Sequence, residues 1–389
     1  MPSFYLSSSS IAECVSNLIA RNKLWLKKRV KLFFIVNSAA GCFTNKKIAQ
    51  NYNTLFQNTN NEILKNSPCA KSVDYEIYET EYQCHAKEIT KNIVSEILNN
   101  FDKTIDYIIV SVGGDGTSLE VQSSLYDSVI NYKKQNIDIS NKIAILRLPL
   151  GTGNDGTDGS YIEETFNMLK SGIIYSNTKV LVAYTENNPP TDAIKSSHKF
   201  ISKYCDINSK APWYAFNIAS VGLDAFVSFV TNFVKSKFPG NLYHLCVPLS
   251  GLFFYRVFEV GNTKIDMYRD NEEKPFNSFS GKILLTAMGA SGNRTYGGGQ
   301  KVLPNFNNIC VCPRVTLARL IKDNKKFVDG THAGTDIGMM YLADKIKIYN
   351  DKPMLLQCDG EAYLLCRDHF PLTIEKRDPG YKIIKKIDS

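Results

Sequence analysis

Three short segments of this sequence combine glycine with small polar residues, and each follows a predicted strand. They read NSAAG at 37–41, GGDGT at 113–117 and LGTGND at 150–155. Glycine lets backbone N–H groups approach an anion closely, and the start of a following helix adds the positive end of its dipole. Because the carboxyl ends of parallel strands meet at one edge of a sheet, the three segments together predict a phosphate-binding site.

Each segment alone has a weaker interpretation. GTGNDG at 151–156 matches the G-x-G-x-x-G pattern, but no acidic residue lies between Glu164 and Glu186, where a dinucleotide-binding site would need one. The segments contain no G-x-x-x-x-G-K-[ST] motif, so a P-loop is not supported. Any one of them could be only a tight turn, whereas three in one domain favour a shared ligand.

Asp115 places a carboxylate among these glycines. A carboxylate beside phosphate oxygens is repulsive unless a cation lies between them, so Asp115 predicts a bound Mg²⁺. The alternative is that Asp115 caps the helix that follows, which is a common role of aspartate. Both roles can hold at once.

A fourth segment, LQCDGEAYLL at 356–365, carries two carboxylates around a glycine. Such a pair can divide its roles, with Asp359 near a metal and Glu361 accepting a proton from a hydroxyl. The same three residues also suit a hairpin turn. The weight of this segment as a catalytic site therefore depends on whether the fold brings it beside the glycine-rich segments.

Two patterns describe the elements that must position these residues. Strands are predicted at 31–37, 73–79, 105–112 and 142–150, with a helix over 82–100. The near-continuous apolar character of the first, third and fourth strands indicates burial on both faces of a parallel sheet. Alternation of strands and helices predicts an open α/β nucleotide-binding domain over 31–175.

Beyond about residue 176 the strands become short, alternating and separated by turn residues. This pattern is typical of an antiparallel sandwich or barrel-like domain, which we predict over 176–378 with one helical interruption at about 222–256. Cys310 and Cys312 would share one face of a strand, which favours packing over metal binding.

Residues 1–30 form a separate N-terminal extension. Its apolar residues can share one face of a helix: Ile11, Val15, Leu18, Ile19 and Leu26. With the basic residues beside them, this helix could lie on an anionic membrane. The alternative, which we favour, is a helix docked on its own domain or a frayed terminus.

Composition restricts the class of protein. The 46 basic and 38 acidic side chains give a net charge of +8, which favours anionic partners such as nucleotides or acidic lipids. Ten cysteines without a C-x-x-C pair indicate reduced thiols. With no signal peptide or membrane span evident, we expect a cytoplasmic protein that touches membranes peripherally and does not bind nucleic acid.

The order of five segments is more specific than any one of them. They are GGDGTSLEV, LPLGTGND, AFNIASVGLDAFV at 215–227, YGGGQKVLPNF at 296–306 and CDGEAY at 358–363. In this order they resemble the diacylglycerol kinase catalytic family, which includes bacterial lipid kinases and sphingosine kinases. The resemblance runs from about residue 31 to the end, although GGDGT alone is shared with NAD kinases.

The resemblance implies an NAD kinase/diacylglycerol kinase-like fold, in which the active site lies between the two domains and residues 379–389 return to the first. The implied reaction transfers the γ-phosphate of ATP to a hydroxyl of a diacylglycerol-like or sphingoid lipid at a membrane surface. Glu361 would be the general base, beside Asp359, and Asp115 and Asp359 would be ligands of Mg²⁺. A homodimer is a further expectation. The residues implied to bind the nucleotide are Asn37, Gly113, Gly114, Gly116, Thr117, Gly151, Thr152, Gly153 and Asn154.

Several positions depart from the family pattern. Gly156 follows GTGND where the family often has an aromatic residue, and Leu181 stands near the place of an aspartate. Asn307 and Asn308 occur where many bacterial members carry the acidic residues of a structural metal site, so we predict no such site here. In GGDGTSLE an asparagine of the pattern is replaced, although Glu120 remains.

These departures indicate a divergent substrate or a reduced activity. A catalytically weak nucleotide- or lipid-binding regulator of the same fold is therefore an alternative. An NAD kinase is a lesser alternative, because the PLGTGND and VGLDA segments argue against it.

Overall fold

The chain divides into two compact units in a computed structural model. The first unit comprises Met1–Thr178 and Asp378–Ser389, and the second comprises Lys179–Arg377. The structure describes residues 5–66, 73–151, 161–176, 178–237, 243–270, 272–296 and 300–386.

The first unit is built on one mixed sheet. Its strands are β1 (Arg29–Val36), β2 (Asp74–Glu79), β3 (Ile105–Gly113), β4 (Ile143–Pro149), β5 (Ile173–Ser176) and β20 (Lys382–Lys386). Their order is β2-β1-β3-β4-β20-β5, with β1 to β4 parallel, β20 parallel to β4, and β5 antiparallel to β20. The predicted parallel sheet is confirmed, and its last strand but one comes from the end of the chain.

Helices accompany this sheet. They are α1 (Ser8–Arg21), α2 (Gly41–Thr44), α3 (Lys46–Asn66), α4 (His85–Asn99), α5 (Asp115–Lys134) and α6 (Ile162–Ser171). Phe33 and Phe34, which point to opposite faces of β1, are both fully buried. Burial on both faces explains why the strand is apolar at nearly every position.

The N-terminal helix α1 belongs to the core of the first unit. Ile11, Val15 and Ile19 are fully buried in the cluster that also holds Phe34. Of the favoured alternatives, the docked helix is therefore correct and the frayed terminus is not, and a membrane-lying helix at this position is also wrong. The proposed helical face was also too long, because α1 ends at Arg21 and Leu26 is exposed beyond it.

The second unit contains two antiparallel sheets, which confirms the predicted β-rich class. One has the order β10-β9-β16-β19-β6-β7 and the other β15-β14-β11-β8-β17-β18, and β12 and β13 form a separate pair. The strands are β6 (Val180–Thr185), β7 (Trp213–Ala215), β8 (Ile218–Gly222), β9 (Thr263–Tyr268), β10 (Asn277–Gly281), β11 (Ile283–Gly289), β12 (Arg294–Tyr296), β13 (Gln300–Leu303), β14 (Ile309–Pro313), β15 (Met339–Tyr341), β16 (Lys345–Asn350), β17 (Met354–Cys358), β18 (Glu361–Leu365) and β19 (Leu372–Arg377).

Two clusters of buried side chains hold this unit together. Residues of both sheets share one cluster, which includes Ile265 of β9 and Val311 of β14. On its other side, the sheet that contains β14 buries residues such as Cys310 and Cys312 among helical side chains. The helices of this unit are α7 (Thr191–Ser197), α8 (Leu223–Lys237), α9 (Tyr243–Val257) and α10 (Leu317–Asp329), with short 3₁₀ turns at Ile201–Lys203 and Arg367–His369.

Cys310 and Cys312 lie on one face of β14, as their spacing predicts, and their sulfur atoms are 3.5 Å apart. Within the part of the chain that the structure describes, no helix is long and apolar enough to cross a membrane.

Docking of α1 leads to a prediction about stability. Ile19→Ala should lower the free energy of unfolding of the first unit by about 2–4 kcal/mol, because it leaves a cavity in a fully buried position. The chain has two tryptophans, of which Trp25 is buried in the core of the first unit. In a Trp213→Phe background, fluorescence during urea unfolding therefore reports on that unit.

The exposed residue Glu13 of the same helix supplies the matched control. Glu13→Ala should change the unfolding free energy by about 0.5 kcal/mol or less. Equal, small effects of the two substitutions would contradict a docked α1.

Candidate functional site

The first two glycine-rich segments meet at one edge of the first sheet. Val36, the last residue of β1, lies opposite Val112 of β3, so both strands end together. The backbone N–H of Asn37 donates to the carbonyl of Val112 over 2.9 Å, and its side-chain Nδ2 donates to Oγ1 of Thr117 over 3.0 Å. These bonds hold NSAAG against GGDGT.

The third segment begins at the same edge. The N–H of Leu150 donates to the carbonyl of Gly113 over 2.9 Å, and the N–H of Cys42 donates to the carbonyl of Leu150 over 3.3 Å. Gly151, which follows, thus starts beside the other two segments. Thr152, Gly153, Asn154 and Gly156 lie outside the described residues, and the nucleotide-binding role of the first three stays a prediction.

The glycines of GGDGT differ in what surrounds them. A Cβ on Gly113 would lie 2.7 Å from Oγ1 of Thr117, so a side chain there would displace the residue that Asn37 holds. A Cβ on Gly116 would meet no heavy atom of the described residues within 4 Å. Gly113 is therefore required for packing of the turn, while Gly116 leaves the backbone open.

Helix α5 begins inside this turn and presents its N-terminus at the sheet edge. Its N-cap is Gly114, which has no side chain to satisfy the first N–H groups. The helix runs for 20 residues, so the positive end of its dipole adds to these donors. Asp115 is the first helical residue and not the cap, which the sequence had left open.

The structure places one further segment at this edge, residues 80–84, whose role is not evident from the sequence alone. The N–H of Thr80, directly after β2, donates to the carbonyl of Val36 over 2.9 Å. Four residues later, the N–H of Cys84 donates to Oε1 of Glu120 over 3.1 Å. Thr80 could have been found as a polar residue that follows a predicted strand.

Glu120 thus links the first sheet edge to α4. Its carboxylate accepts from the residue just before α4, at a point where Cys84 has a φ of 68°. Burial raises the pKa of the Glu120 carboxyl group, and the N–H bond from Cys84 partly offsets this effect. The retained glutamate of GGDGTSLE is therefore a positioning residue.

In the second unit, Asp359 and Gly360 form the turn of a hairpin. They connect β17 to β18, and Cys358 lies opposite Glu361. Asp359 has a φ of 46° and Gly360 a φ of 91°, which is the combination of a type I′ turn. The hairpin that we held as an alternative is therefore correct for the backbone.

The carboxylate of Asp359 accepts hydrogen bonds from three successive backbone N–H groups. The N–H groups of Phe216, Asn217 and Ile218 donate to it over 2.6, 3.0 and 2.8 Å. The N–H of Asp359 donates in return to the carbonyl of Ile218 over 3.0 Å. Charge-assisted bonds of this kind fix the turn against the start of β8, whatever else Asp359 binds. Its role as a metal ligand stays a prediction.

A hydrogen-bond network that includes Asp224 and Gln357 also holds this turn. Oδ2 of Asp224 accepts from Oγ of Ser220 over 2.5 Å and from Nε2 of Gln357 over 3.1 Å. Oε1 of Gln357 accepts from the N–H of Gly360 over 2.9 Å. Desolvation raises the pKa of the Asp224 carboxyl group, against the two hydrogen bonds that lower it. Asp224 of the VGLDA segment therefore acts through Gln357 on the turn.

Glu361 is exposed at the first position of β18, directly after this fixed turn. On the other side of the turn, Nδ2 of Asn232 in α8 donates to the carbonyl of Gly360 over 2.9 Å. The carboxylate of Glu361 is thus presented on a short, well-supported hairpin. Its role as general base stays a prediction.

Comparison with known proteins shows what the first unit is similar to. Residues 31–179 match the diacylglycerol kinase catalytic domain. The predicted resemblance to this family is confirmed. The match covers the three glycine-rich segments and the Asn37–Thr117 contact between them.

Solved structures extend the likeness to the fold of both units. A proposed diacylglycerol kinase from Bacillus anthracis str. Sterne aligns with a TM-score of 0.53 at 19% identity, covering 92% of this chain and 97% of that one. A further structure described in the same words aligns with a TM-score of 0.51 at 18% identity and the same coverage. A comparison with curated protein sequences gives no match. At these identities the structures show the fold alone.

Two departures from the diacylglycerol kinase pattern can be located. Leu181 lies in β6, fully buried between the sheets of the second unit. Asn308 is buried, and its Nδ2 donates to the carbonyls of Gly289 and Ala343 over 3.2 and 3.0 Å. Its Oδ1 accepts from the N–H of Ala343 over 3.1 Å. Asn308 thus joins the end of β11 to the connection between β15 and β16 through its own amide.

The network around Asp224 leads to a prediction about pH. A carboxyl group whose pKa is raised by folding stabilises the protein fully below its unfolded pKa of about 3.9 and loses that contribution as pH rises. Asp224→Asn removes the charge and keeps an acceptor oxygen for Ser220 and Gln357. Its unfolding free energy should therefore rise relative to the unsubstituted protein as pH increases above about 4.

Urea unfolding between pH 4 and 8 measures this difference. Asp270→Asn, at an exposed aspartate of the same unit, is the matched control and should show no such trend. The difference in unfolding free energy between Asp224→Asn and the unsubstituted protein could instead stay constant with pH. That result would show that burial does not disfavour the charged form of Asp224.

Proposed function

We propose that the protein is an ATP- and Mg²⁺-dependent lipid kinase that transfers the γ-phosphoryl group to a hydroxyl of a diacylglycerol-like or sphingoid lipid. The observation that carries the proposal is the meeting of two glycine-rich segments and the first residues of a third at the N-terminus of α5, within residues that match the diacylglycerol kinase catalytic domain. We further propose that it works in the cytoplasm, peripherally associated with a membrane, where such lipids are found.

The first unit would bind the phosphates of ATP. Backbone N–H groups at the start of α5 would donate to phosphate oxygens, and the open backbone at Gly116 would allow their close approach. Asn37 would hold Thr117 in place through the observed 3.0 Å bond, so the hydroxyl is preset before nucleotide binds. Binding that needs no rearrangement of the turn loses less entropy.

Asp115 fits a Mg²⁺ site of the kind found in kinases. Mg²⁺ typically uses one or two protein carboxylates together with substrate phosphates, and Asp115 supplies one carboxylate in the first turn of α5. When bound, the ion supplies neutralisation of phosphate charge. Asp115 would orient it, while the helix N-terminus offsets the remaining negative charge of the phosphates.

Glu361 would accept the proton of the lipid hydroxyl. An exposed carboxylate at the start of β18 can reach a substrate hydroxyl, and the type I′ turn before it limits the backbone freedom of the base. Asp359 would contribute mainly by fixing this turn, through its bonds to three N–H groups. Alignment of the base and the hydroxyl, more than new covalent chemistry, would then account for the rate.

Loss of the proposed base leads to a prediction about activity. Glu361→Gln should reduce phosphoryl transfer to lipid by about 100-fold or more, because the amide cannot accept the proton at neutral pH. Transfer of labelled phosphate from ATP to a panel of diacylglycerol and sphingoid lipids measures this. Nucleotide affinity and thermal stability should stay unchanged, since the side chain is exposed.

The exposed residue Glu273 of the same unit provides the control, as Glu273→Gln should keep full activity. Full activity of Glu361→Gln would remove Glu361 from the mechanism. Tight nucleotide binding by the unsubstituted protein without turnover of any lipid would instead favour the regulator, for which buried Leu181 in place of an acidic residue is the motivating observation. ATP consumption that depends on added NAD would favour the NAD kinase.

The open position of Gly116 leads to a prediction about nucleotide affinity. Gly116→Ala places a methyl group where the phosphates would approach the backbone, so the affinity for an ATP analogue should fall about tenfold or more. No heavy atom of the described residues lies within 4 Å of the new Cβ, and alanine favours helix over glycine. The melting temperature should therefore stay equal or rise.

Gly113→Ala is the contrasting variant, because its Cβ would lie 2.7 Å from Thr117. It should lower both stability and affinity. Isothermal titration and thermal melting separate the two effects. Unchanged nucleotide affinity in Gly116→Ala would show that this turn does not hold phosphate.

A further inference from the structure

Helix α10 of the second unit carries an exposed stripe of apolar side chains. Leu317, Ile321 and Val328 are 37%, 61% and 42% exposed. At 100° per residue these positions fall within about 40° of one another around the helix, so they form one line along it. We call these three residues the apolar stripe.

The stripe is exposed on a helix that is firmly held. Leu320 and Phe327, on the adjacent face, are buried in the core of the second unit, and Phe327 stacks on His332 with ring centroids 4.4 Å apart. Oγ1 of Thr316 accepts from the N–H of Arg319 at the start of the helix, and Gly330 ends it with a φ of 79°. Exposure of the stripe is therefore a property of the folded helix and not of a frayed end.

Basic side chains border the stripe. Lys325 and Lys322 follow it around the helix, at about 80° and 140° from Leu317. Neither forms a salt bridge with any of the described residues. Arg319 and Lys326, farther round, are both paired with Asp323. Two cations thus lie beside the apolar stripe, with the exposed carboxylate of Asp329 between them at about 120° from Leu317, so lysines exceed acidic residues on this face by one.

A second helix extends this surface. Gly251 of α9 lies against α10, because a Cβ there would be 3.4 Å from Leu320. The next two residues of α9, Leu252 and Phe253, are 37% and 49% exposed. One turn on, Arg256 is also exposed. Apolar and basic side chains therefore recur on the helix that packs beside α10.

We infer that α10 and the adjoining part of α9 dock on an anionic lipid bilayer. Apolar side chains next to unpaired lysines match a surface whose interior is apolar and whose headgroups are negative, whereas a protein partner would need acidic groups of fixed position. The inference rests on the proposed function in one respect, because a lipid kinase must meet its substrate at a bilayer. Beyond the proposed function, the inference names α10 and α9 as the elements that contact the bilayer.

Binding to sedimented vesicles tests this inference with the full chain. The protein should bind vesicles that contain phosphatidylglycerol more tightly than vesicles of phosphatidylcholine alone, and added salt should weaken the binding. Ile321→Ser with Phe253→Ser should reduce the partition coefficient about tenfold or more. Lys322→Gln with Lys325→Gln should reduce it about fivefold for each lysine, on anionic vesicles only.

Controls of matched chemistry lie elsewhere in the second unit. Leu342→Ser and Phe200→Ser change side chains that are 52% and 54% exposed, and Lys274→Gln changes an exposed lysine. These variants should bind vesicles as the unsubstituted protein does. Equal losses in the control and α10 variants, or no loss in the α10 variants, would overturn the inference.

The experiment also separates this inference from the proposed function. With a short-chain diacylglycerol dispersed in detergent, the α10 variants should keep kinase activity, because no bilayer is present. Vesicle binding without activity toward any lipid would reject the kinase and retain the docking surface. A dimer that becomes a monomer in Ile321→Ser, seen by analytical ultracentrifugation, would assign the stripe to a second copy of the chain and reject the bilayer.

Discussion

The hydrogen bonds of one carboxylate, that of Asp359, fix the hairpin turn between β17 and β18 in the second unit. Asp359 accepts from three successive N–H groups that lie more than 140 positions earlier in the chain, just where β8 begins. Strand β8 lies between β11 and β17 in its sheet, so this contact fixes the turn to the middle of the sheet. Hydrogen bonds from three N–H groups to one charged carboxylate are stronger than three bonds to neutral acceptors. The position of Glu361 follows from it.

In the first unit, hydrogen bonds of one side chain and its backbone likewise join two segments, although they are fewer. Asn37 spans the ends of β1 and β3 by donating from its backbone to Val112 and from its side chain to Thr117. In the same way, Glu120 of α5 accepts a hydrogen bond from the backbone N–H of Cys84, just before α4. In both units, polar side chains of one segment thus satisfy the backbone or hydroxyls of another at the end of a strand. Such contacts hold loops in fixed conformations without covering them.

The sequence alone predicts the strands and the loop chemistry but not these cross-links. Near-continuous apolar residues identify β1, β3 and β4, because both faces of a parallel sheet are buried. The role of Asp359 could not be predicted, since its partners are backbone N–H groups whose positions depend on the completed fold. The contacts of the N-terminal helix are likewise not predicted by its sequence. Its periodicity predicts an apolar face, but only the structure shows that the core of its own unit covers that face.

The place of β20 has a consequence for the order in which the protein can be made. This strand comes from residues 382–386, yet it lies inside the first sheet and is the described neighbour of β5. During synthesis the whole second unit must leave the ribosome before β20 does, which takes on the order of tens of seconds. Over that interval β4 and β5 lack the strand that joins them. The sheet of the first unit therefore starts to form before the second unit is synthesised and can be completed only after it.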